Sequence, residues 1–249
     1  MARIALAAGP GGYPAHLGPC ARPRIAPDDL RAAVAAAGHQ LVDSAPDLVI
    51  ADVAAPAAPA ASAPGAAQQL VLVSFDRPTS PWHAIADPAD RQAFIEPWGA
   101  DLERRRRAAL GLRADAYADS IPDLLAAIDA ALRRVEPEPP ALCYLGALFN
   151  SCPLRPGAVF DIGAEPRPLV LGRGTEADVQ VLTSHLARAH LQLTLVPDQG
   201  LEVIDLGGTN GTWLVQREGE ITALSPGAPV VARQGALVVP DGSFRFLVA

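Results

Sequence analysis

"HLQLTLV", residues 190–196, decides how the C-terminal part of this chain is read. Leu191, Leu193 and Leu195 fall on one parity, Gln192 and Thr194 on the other, and successive side chains of a strand point to opposite faces. A half-buried strand follows, with His190 at its start. The neighbouring His185 lies five positions earlier, across a loop-to-strand junction, with no cysteine or carboxylate cluster beside it in sequence. That spacing makes no helical metal face, so no metal and no cofactor are expected here.

Working outward, the same period recurs. "PLVLGR" (168–173), "VQVL" (179–182), "GLEVIDL" (200–206), "GTWLVQ" (211–216), "PVVA" (229–232), "ALVVP" (236–240) and "SFRFLVA" (243–249) are short apolar segments separated by Gly, Pro, Asp and Asn. No helical pattern interrupts them, and short strands so punctuated predict an all-β sandwich or barrel over residues 152–249.

Upstream the pattern changes. "RIALAAG" (3–9), "DLVIADV" (47–53) and "QLVLVSFD" (69–76) alternate with helical stretches "PDDLRAAVAAAGH" (27–39), "DLERRRRAALGL" (101–112) and "SIPDLLAAIDAALRRV" (120–135). That order predicts an α/β domain with a mainly parallel, doubly wound sheet over residues 1–135. Ser120 and Asp123 have the spacing of a capping box at the head of the last helix. An Ala/Pro tract at 54–67 reads as a loose loop. "EPEPP" (136–140) cannot continue a helix, so residues 136–151 read as a Glu/Pro linker and entry segment between two domains.

Composition narrows the function. All 20 basic residues are arginine; without lysine, a GxxxxGK[ST] phosphate loop, a kinase strand lysine and Schiff-base chemistry are all excluded. A net charge of −7 disfavours nucleic acid as a partner. The four arginines 104–107 spread around a helix at about 100° per residue rather than forming a stripe, and read as a solvated face. The longest apolar run, "ALCYLGALF" (141–149), is too short to span a bilayer, and no export signal is evident at the start, so a cytoplasmic protein is expected. Three cysteines without a CxxC pair argue for free thiols. "AAGPGGYPAHLGP" (7–19) is glycine-rich after the first strand, but it fails the dinucleotide fingerprint, and no GxSxG or HExxH motif occurs.

Taken together, "RPLVLGRG" (167–174), "ARAHLQL" (187–193) and "DLGGTNGTWL" (205–214) resemble the forkhead-associated (FHA) domain, a β-sandwich that reads phosphothreonine peptides. "LRPGAVFDIG" (154–163) resembles its first strands, "DVQVL" (178–182) its strand entry and "SFRFLV" its closing strand. The resemblance implies that Arg173, after Gly172, grips the phosphate, that Asn210, next to Thr209, holds the peptide backbone, and that Gly211 permits the turn. It implies an architectural His190. Where the family has Ser-x-x-His, this chain has Ala187 and His190; Thr183, Ser184 and Arg188 lie in the same segment as possible substitutes, and the backbone amide of Ala187 remains. The implied partner is a threonine-phosphorylated protein, the substrate of a Ser/Thr kinase, bound by a non-enzymatic bacterial signalling adaptor. The alternatives are a degenerate module that binds without phosphate, or an N-terminal enzyme or ligand-binding domain regulated by the sandwich.

The N-terminal part is similar, more weakly, to a response-regulator receiver. "PDLVIADVAAP" (46–56) would make Asp52 the phosphoacceptor, followed by Pro56. The acidic residues expected after the first strand are missing, and "FIEPW" (94–98) has Glu96 where a lysine belongs. Phosphoryl transfer to Asp52 is therefore not expected.

Overall fold

The computed structural model describes residues 1–6, 27–42, 46–52, 69–73, 87–89, 100, 103–104, 106–133, 140–150, 152–163 and 167–249. The glycine-rich stretch at 7–19, the Ala/Pro tract, Glu96 and the glutamates and prolines at 136–139 lie outside them. So does the side chain of Asp52.

The helix readings rest on visible local chemistry. Helix α1 (Pro27–Ala36) opens with Asp28 and Asp29, which suit the positive end of its dipole. Helix α2 (Ile121–Arg133) begins with the Ser120 half of the predicted capping box, the Asp123 N–H donating to Ser120 Oγ at 3.2 Å; the Asp123 carboxylate accepts the Ser120 hydroxyl at 2.7 Å. Its apolar stripe of Leu124, Ala127, Ile128 and Ala131 is buried. With Leu30 and Val34 of α1, it covers Ile4, Leu48, Ile50, Val71, Ala116 and Ala118 on one face of the N-terminal strands. These strands are β1 (Arg3–Leu6), β2 (Gln40–Leu41), β3 (Leu48–Asp52), β4 (Gln69–Val73) and β5 (Ala116–Ala118). They run parallel, side by side, in the order β2-β1-β3-β4-β5.

The C-terminal part is a sandwich of two sheets. One has the order β14-β11-β10-β8-β9, from β8 (Leu169–Gly172), β9 (Val179–Gln180), β10 (Leu191–Val196), β11 (Gly200–Asp205) and β14 (Pro229–Ala232). The other runs β13-β12-β15-β16-β6, from β6 (Ala141–Ala147), β12 (Thr212–Val215), β13 (Ile221–Ala223), β15 (Leu237–Pro240) and β16 (Phe244–Val248), with β7 (Ala158–Asp161) also paired to β6. Their inner faces meet through Leu171, Leu191, Leu193, Leu201 and Val203 on one side and Tyr144, Leu214, Val238, Phe244 and Phe246 on the other. The alternation read in 190–196 is borne out at Leu191 and Leu193, both fully buried, while Leu195 is 37% exposed at the strand's far end.

The two parts share one sheet. β6 pairs antiparallel with β16 along one edge; along the other it pairs first with β7 and then, at Gly146, in parallel with Tyr117 of β5. An 11-stranded sheet results. The stretch read as an entry segment thus contains a central strand, and its continuous apolar sequence reflects burial on both faces. Gly146 makes the join possible: it sits at φ +119, and a Cβ there would lie 2.0 Å from the Tyr117 carbonyl oxygen. The register of β6 against β16 shifts just beside it, as a bulge requires.

Helical residues 106–110 lie over the sheet's outer face. Leu110 packs with Val215, Leu237 and Val239, and Ala109 with Tyr117, Leu148 and Phe149. This corrects the reading of residues 104–107 as a solvated face at Arg106; Arg104 is exposed and Arg105 lies outside the described residues. Arg107 is exposed and pairs with Glu103 at 2.9 Å, but the Arg106 side chain is only 13% exposed and reaches Asp241 at 3.3 Å. Arg245 is buried in the same seam, its guanidinium 4.8 Å from the Tyr117 ring centre and donating to the carbonyls of Ser243 (2.5 Å) and Ala109 (3.3 Å). Among the described residues, no helix is long and apolar enough to cross a membrane.

Candidate functional site

Three loops meet at one end of the sandwich, and backbone geometry joins the first two. After β8 the chain turns at Arg173, whose N–H donates to the Ala187 carbonyl at 3.0 Å, while the Gly174 N–H donates to the Arg188 carbonyl at 2.9 Å. This close approach explains Gly172, since a Cβ there would stand 2.1 Å from the Arg188 carbonyl oxygen. Arg173 and Arg188 are thereby brought to one rim, both exposed. Among the described residues neither side chain has a hydrogen bond or an ion pair, in contrast with Arg167, which is held bidentate by Asp178 at 2.5 and 3.1 Å. The loop also carries a negative group. Glu176 folds over Gly174 and accepts from the Thr175 hydroxyl at 3.4 Å.

His190 fastens the third loop. Its ring is fully buried; Nδ1 accepts the Ala187 N–H at 3.1 Å and Nε2 lies 3.2 Å from the Thr212 hydroxyl at the start of β12. Because Nδ1 accepts, the ring's proton sits on Nε2 and is donated to Thr212. Burial pushes the ring below the usual histidine range, against the opposing pull of the Asp205 and Asp241 carboxylates. A neutral, two-handed ring is what a strut between loops requires. Gly208 leaves room for it: a Cβ there would lie 2.1 Å from Cε1.

The third loop is shaped from both ends. Asp205 Oδ1 accepts the N–H groups of Gly207 (2.7 Å) and Gly208 (3.1 Å), an Asx-type turn that starts it. Thr209 and Asn210 form an exposed turn, and Gly211 closes it at φ +71. The Asn210 side-chain N–H donates to Asp241 Oδ1.

The expected residues therefore fall into two groups. Arg173, Arg188, Thr209 and Asn210 are exposed on loops tied together through Gly172, His190 and Gly211. Ser184 is exposed in a turn at 184–185, and no hydrogen bond among the described residues links it to Arg173 or Asn210. One expectation is corrected: the Ala187 amide, thought to remain for a phosphate, is taken by His190. Sequence reading missed Thr212, Asp205 and Asp241. The Asp-Leu-Gly-Gly run marked Asp205 and the Asp-Gly turn marked Asp241, but nothing local pointed to Thr212.

No group of three or more His, Cys, Asp or Glu side chains among the described residues is placed to hold a metal ion. Cys143 and Cys152 are free, and burial pushes both thiols above their usual range, the opposite of what activates a nucleophile.

Residues 169–238 match the family model for the FHA domain, and this part of the chain is an FHA domain. Among solved structures, the FHA domain of the CT664 protein from Chlamydia trachomatis is 21% identical, covering 43% of this chain and 92% of its own, with a TM-score of 0.33. An FHA domain from an Arabidopsis thaliana hypothetical protein is 20% identical, covering 43% and 80%, with a TM-score of 0.35. The N-terminal FHA domain of S. cerevisiae RAD53P, solved with a phosphothreonine peptide, is 20% identical, covering 44% and 94%, with a TM-score of 0.31. No curated protein matches.

Proposed function

We propose that the FHA domain of this chain binds protein segments carrying phosphothreonine, with Arg173 holding the phosphate and Asn210 the backbone of the bound segment. The observation that carries the reading is the Arg173 guanidinium, exposed and without a partner among the described residues. A planar fork of N–H donors matches a phosphate dianion through paired, charge-assisted hydrogen bonds. Arg188 adds a second positive charge on the same rim, and the family match spans every loop involved.

One observation favours a second reading. Ala187 has no hydroxyl and its N–H is committed to His190, so two phosphate donors that this segment could have supplied are gone. A module that grips its partner without phosphate fits that loss. Calorimetric titration of the full chain with a phosphothreonine peptide library and its unphosphorylated counterpart separates the two. Preference for the phosphorylated set, abolished by Arg173→Ala, supports the first; equal binding of both sets supports the second.

The wider role we propose is that of a cytoplasmic bacterial adaptor, without catalysis of its own, docking onto substrates of a Ser/Thr kinase. The N-terminal half fits a receiver-like, doubly wound unit, and the parallel order β2-β1-β3-β4-β5 is that of flavodoxin-like folds.

A further inference from the structure

Asp241 occupies the Asp-Gly turn between β15 and β16, fully buried and at φ +57. Its two carboxylate oxygens serve different parts of the molecule. Oδ1 accepts the side-chain N–H of Asn210 on the ligand turn. Oδ2 accepts Asn150 Nδ2 at 2.5 Å, from the loop after β6, and Arg106 Nη2 at 3.3 Å, from the helical residues on the sheet's outer face. The Asp241 N–H also donates to the Gly211 carbonyl at 2.9 Å, so the hairpin turn and the Asn-Gly turn are fastened twice.

A carboxylate only accepts hydrogen bonds, whereas the two ends of an asparagine amide have the same shape and opposite roles. Facing Asp241, Asn210 must turn its nitrogen inward. Its Oδ1 and second N–H are then left for a backbone N–H and carbonyl of a bound chain.

We propose that Asp241 is a positioning residue for Asn210, and that through Arg106 it couples peptide binding to the seating of residues 106–110 on the sheet. This rests on the phosphothreonine reading above. Arg106 holds one oxygen of the carboxylate whose other oxygen orients Asn210, so release of the helical segment leaves Asp241 with fewer donors and the ligand turn less fixed. Linkage makes the effect reciprocal: a bound peptide holds the helical segment in place by the same factor.

The test uses the full chain with two variants. Asp241→Asn keeps the backbone, since asparagine tolerates left-handed φ, and removes the accept-only character. Arg106→Gln keeps a good helix former and removes the charge. Two quantities are measured: affinity for the phosphothreonine peptide library by calorimetry, and the Asn210 side-chain amide resonances of the free protein by NMR. Both variants are expected to weaken phosphopeptide binding about 5-fold or more and to shift the Asn210 resonances. Arg173→Ala should abolish phosphate preference while leaving those resonances in place. If Arg106→Gln changes neither affinity nor resonances, the coupling is overturned; if Asp241→Asn changes neither, the positioning is. A wild-type protein that does not prefer phosphorylated peptides overturns the phosphate reading instead, and the Asn210 resonances then decide the positioning and its link to Arg106 alone.

Discussion

The N–H of Ala187 points at Nδ1 of His190, 3.1 Å away. The segment that brings the rim together therefore spends its own donor on the scaffold and offers a methyl group where the FHA family has a hydroxyl. Restoring that hydroxyl gives the sharpest check on the proposed phosphate site. A hydrogen bond to a charged acceptor contributes roughly 1.5 to 3 kcal/mol, so Ala187→Ser should tighten phosphothreonine-peptide binding about 10-fold or more. Calorimetry on the full chain reads this directly, and an unchanged affinity would place the phosphate elsewhere.

His190 makes the site pH-sensitive in a defined direction. Burial lowers its folded-state value below the unfolded one, so protons bind the unfolded chain more readily. The stabilising contribution is complete above about pH 6.5, the ordinary histidine value, and is lost as pH falls below it. Protonation would also place N–H against N–H at Ala187. The His190 ring nitrogens, followed by NMR from pH 8 to 5, should keep the neutral Nε2–H signature below pH 6.5. Ordinary titration at 6.5 would refute the buried strut.

Gly146 is expected to be irreplaceable for a backbone reason. Both its positive φ and the 2.0 Å that would separate a Cβ from the Tyr117 carbonyl oxygen forbid a side chain. Gly146→Ala should cost at least about 2 kcal/mol in urea denaturation, beyond the fraction of a kcal/mol typical of a tolerated glycine substitution. A loss within about 0.5 kcal/mol would mean that β5 and β6 do not pair in solution.

Arg245 leads to an opposite expectation. Burial lowers its affinity for its proton, its Nε has no hydrogen-bond partner, and its contacts are an aromatic ring and two carbonyls. Both carbonyls keep another donor without it: Leu148 N–H serves Ser243 and Leu112 N–H serves Ala109. Replacing a buried ion with an apolar side chain of similar size is often neutral or stabilising. Arg245→Met should therefore leave the denaturation midpoint unchanged or raised, whereas Arg245→Ala, which opens a cavity, should lower it. A marked fall with methionine would show that the guanidinium stabilises the seam.

What the sequence by itself determined is local. Strand parity in "HLQLTLV", the Ser120 cap and the Gly172-Arg173 and Asn210-Gly211 turns depend on neighbours a few positions apart, so they are legible without a structure. The apolar run "ALVVP" reads as a strand from its own neighbours, whereas "ALCYLGALF", read as part of a linker and entry segment, shows itself a central strand buried on both faces only in the folded sheet. The tertiary structure alone decided the rest. The spacing of four consecutive arginines predicts only that they spread around a helix, whereas packing decided that Arg106 turns inward and Arg107 stays in water. Asp241 gathers Arg106, Asn150 and Asn210 from 135, 91 and 31 residues away, and β5 meets β6 at Gly146. Such contacts are set by how whole faces bury against one another, a property of the assembled sheet that no short window of residues carries.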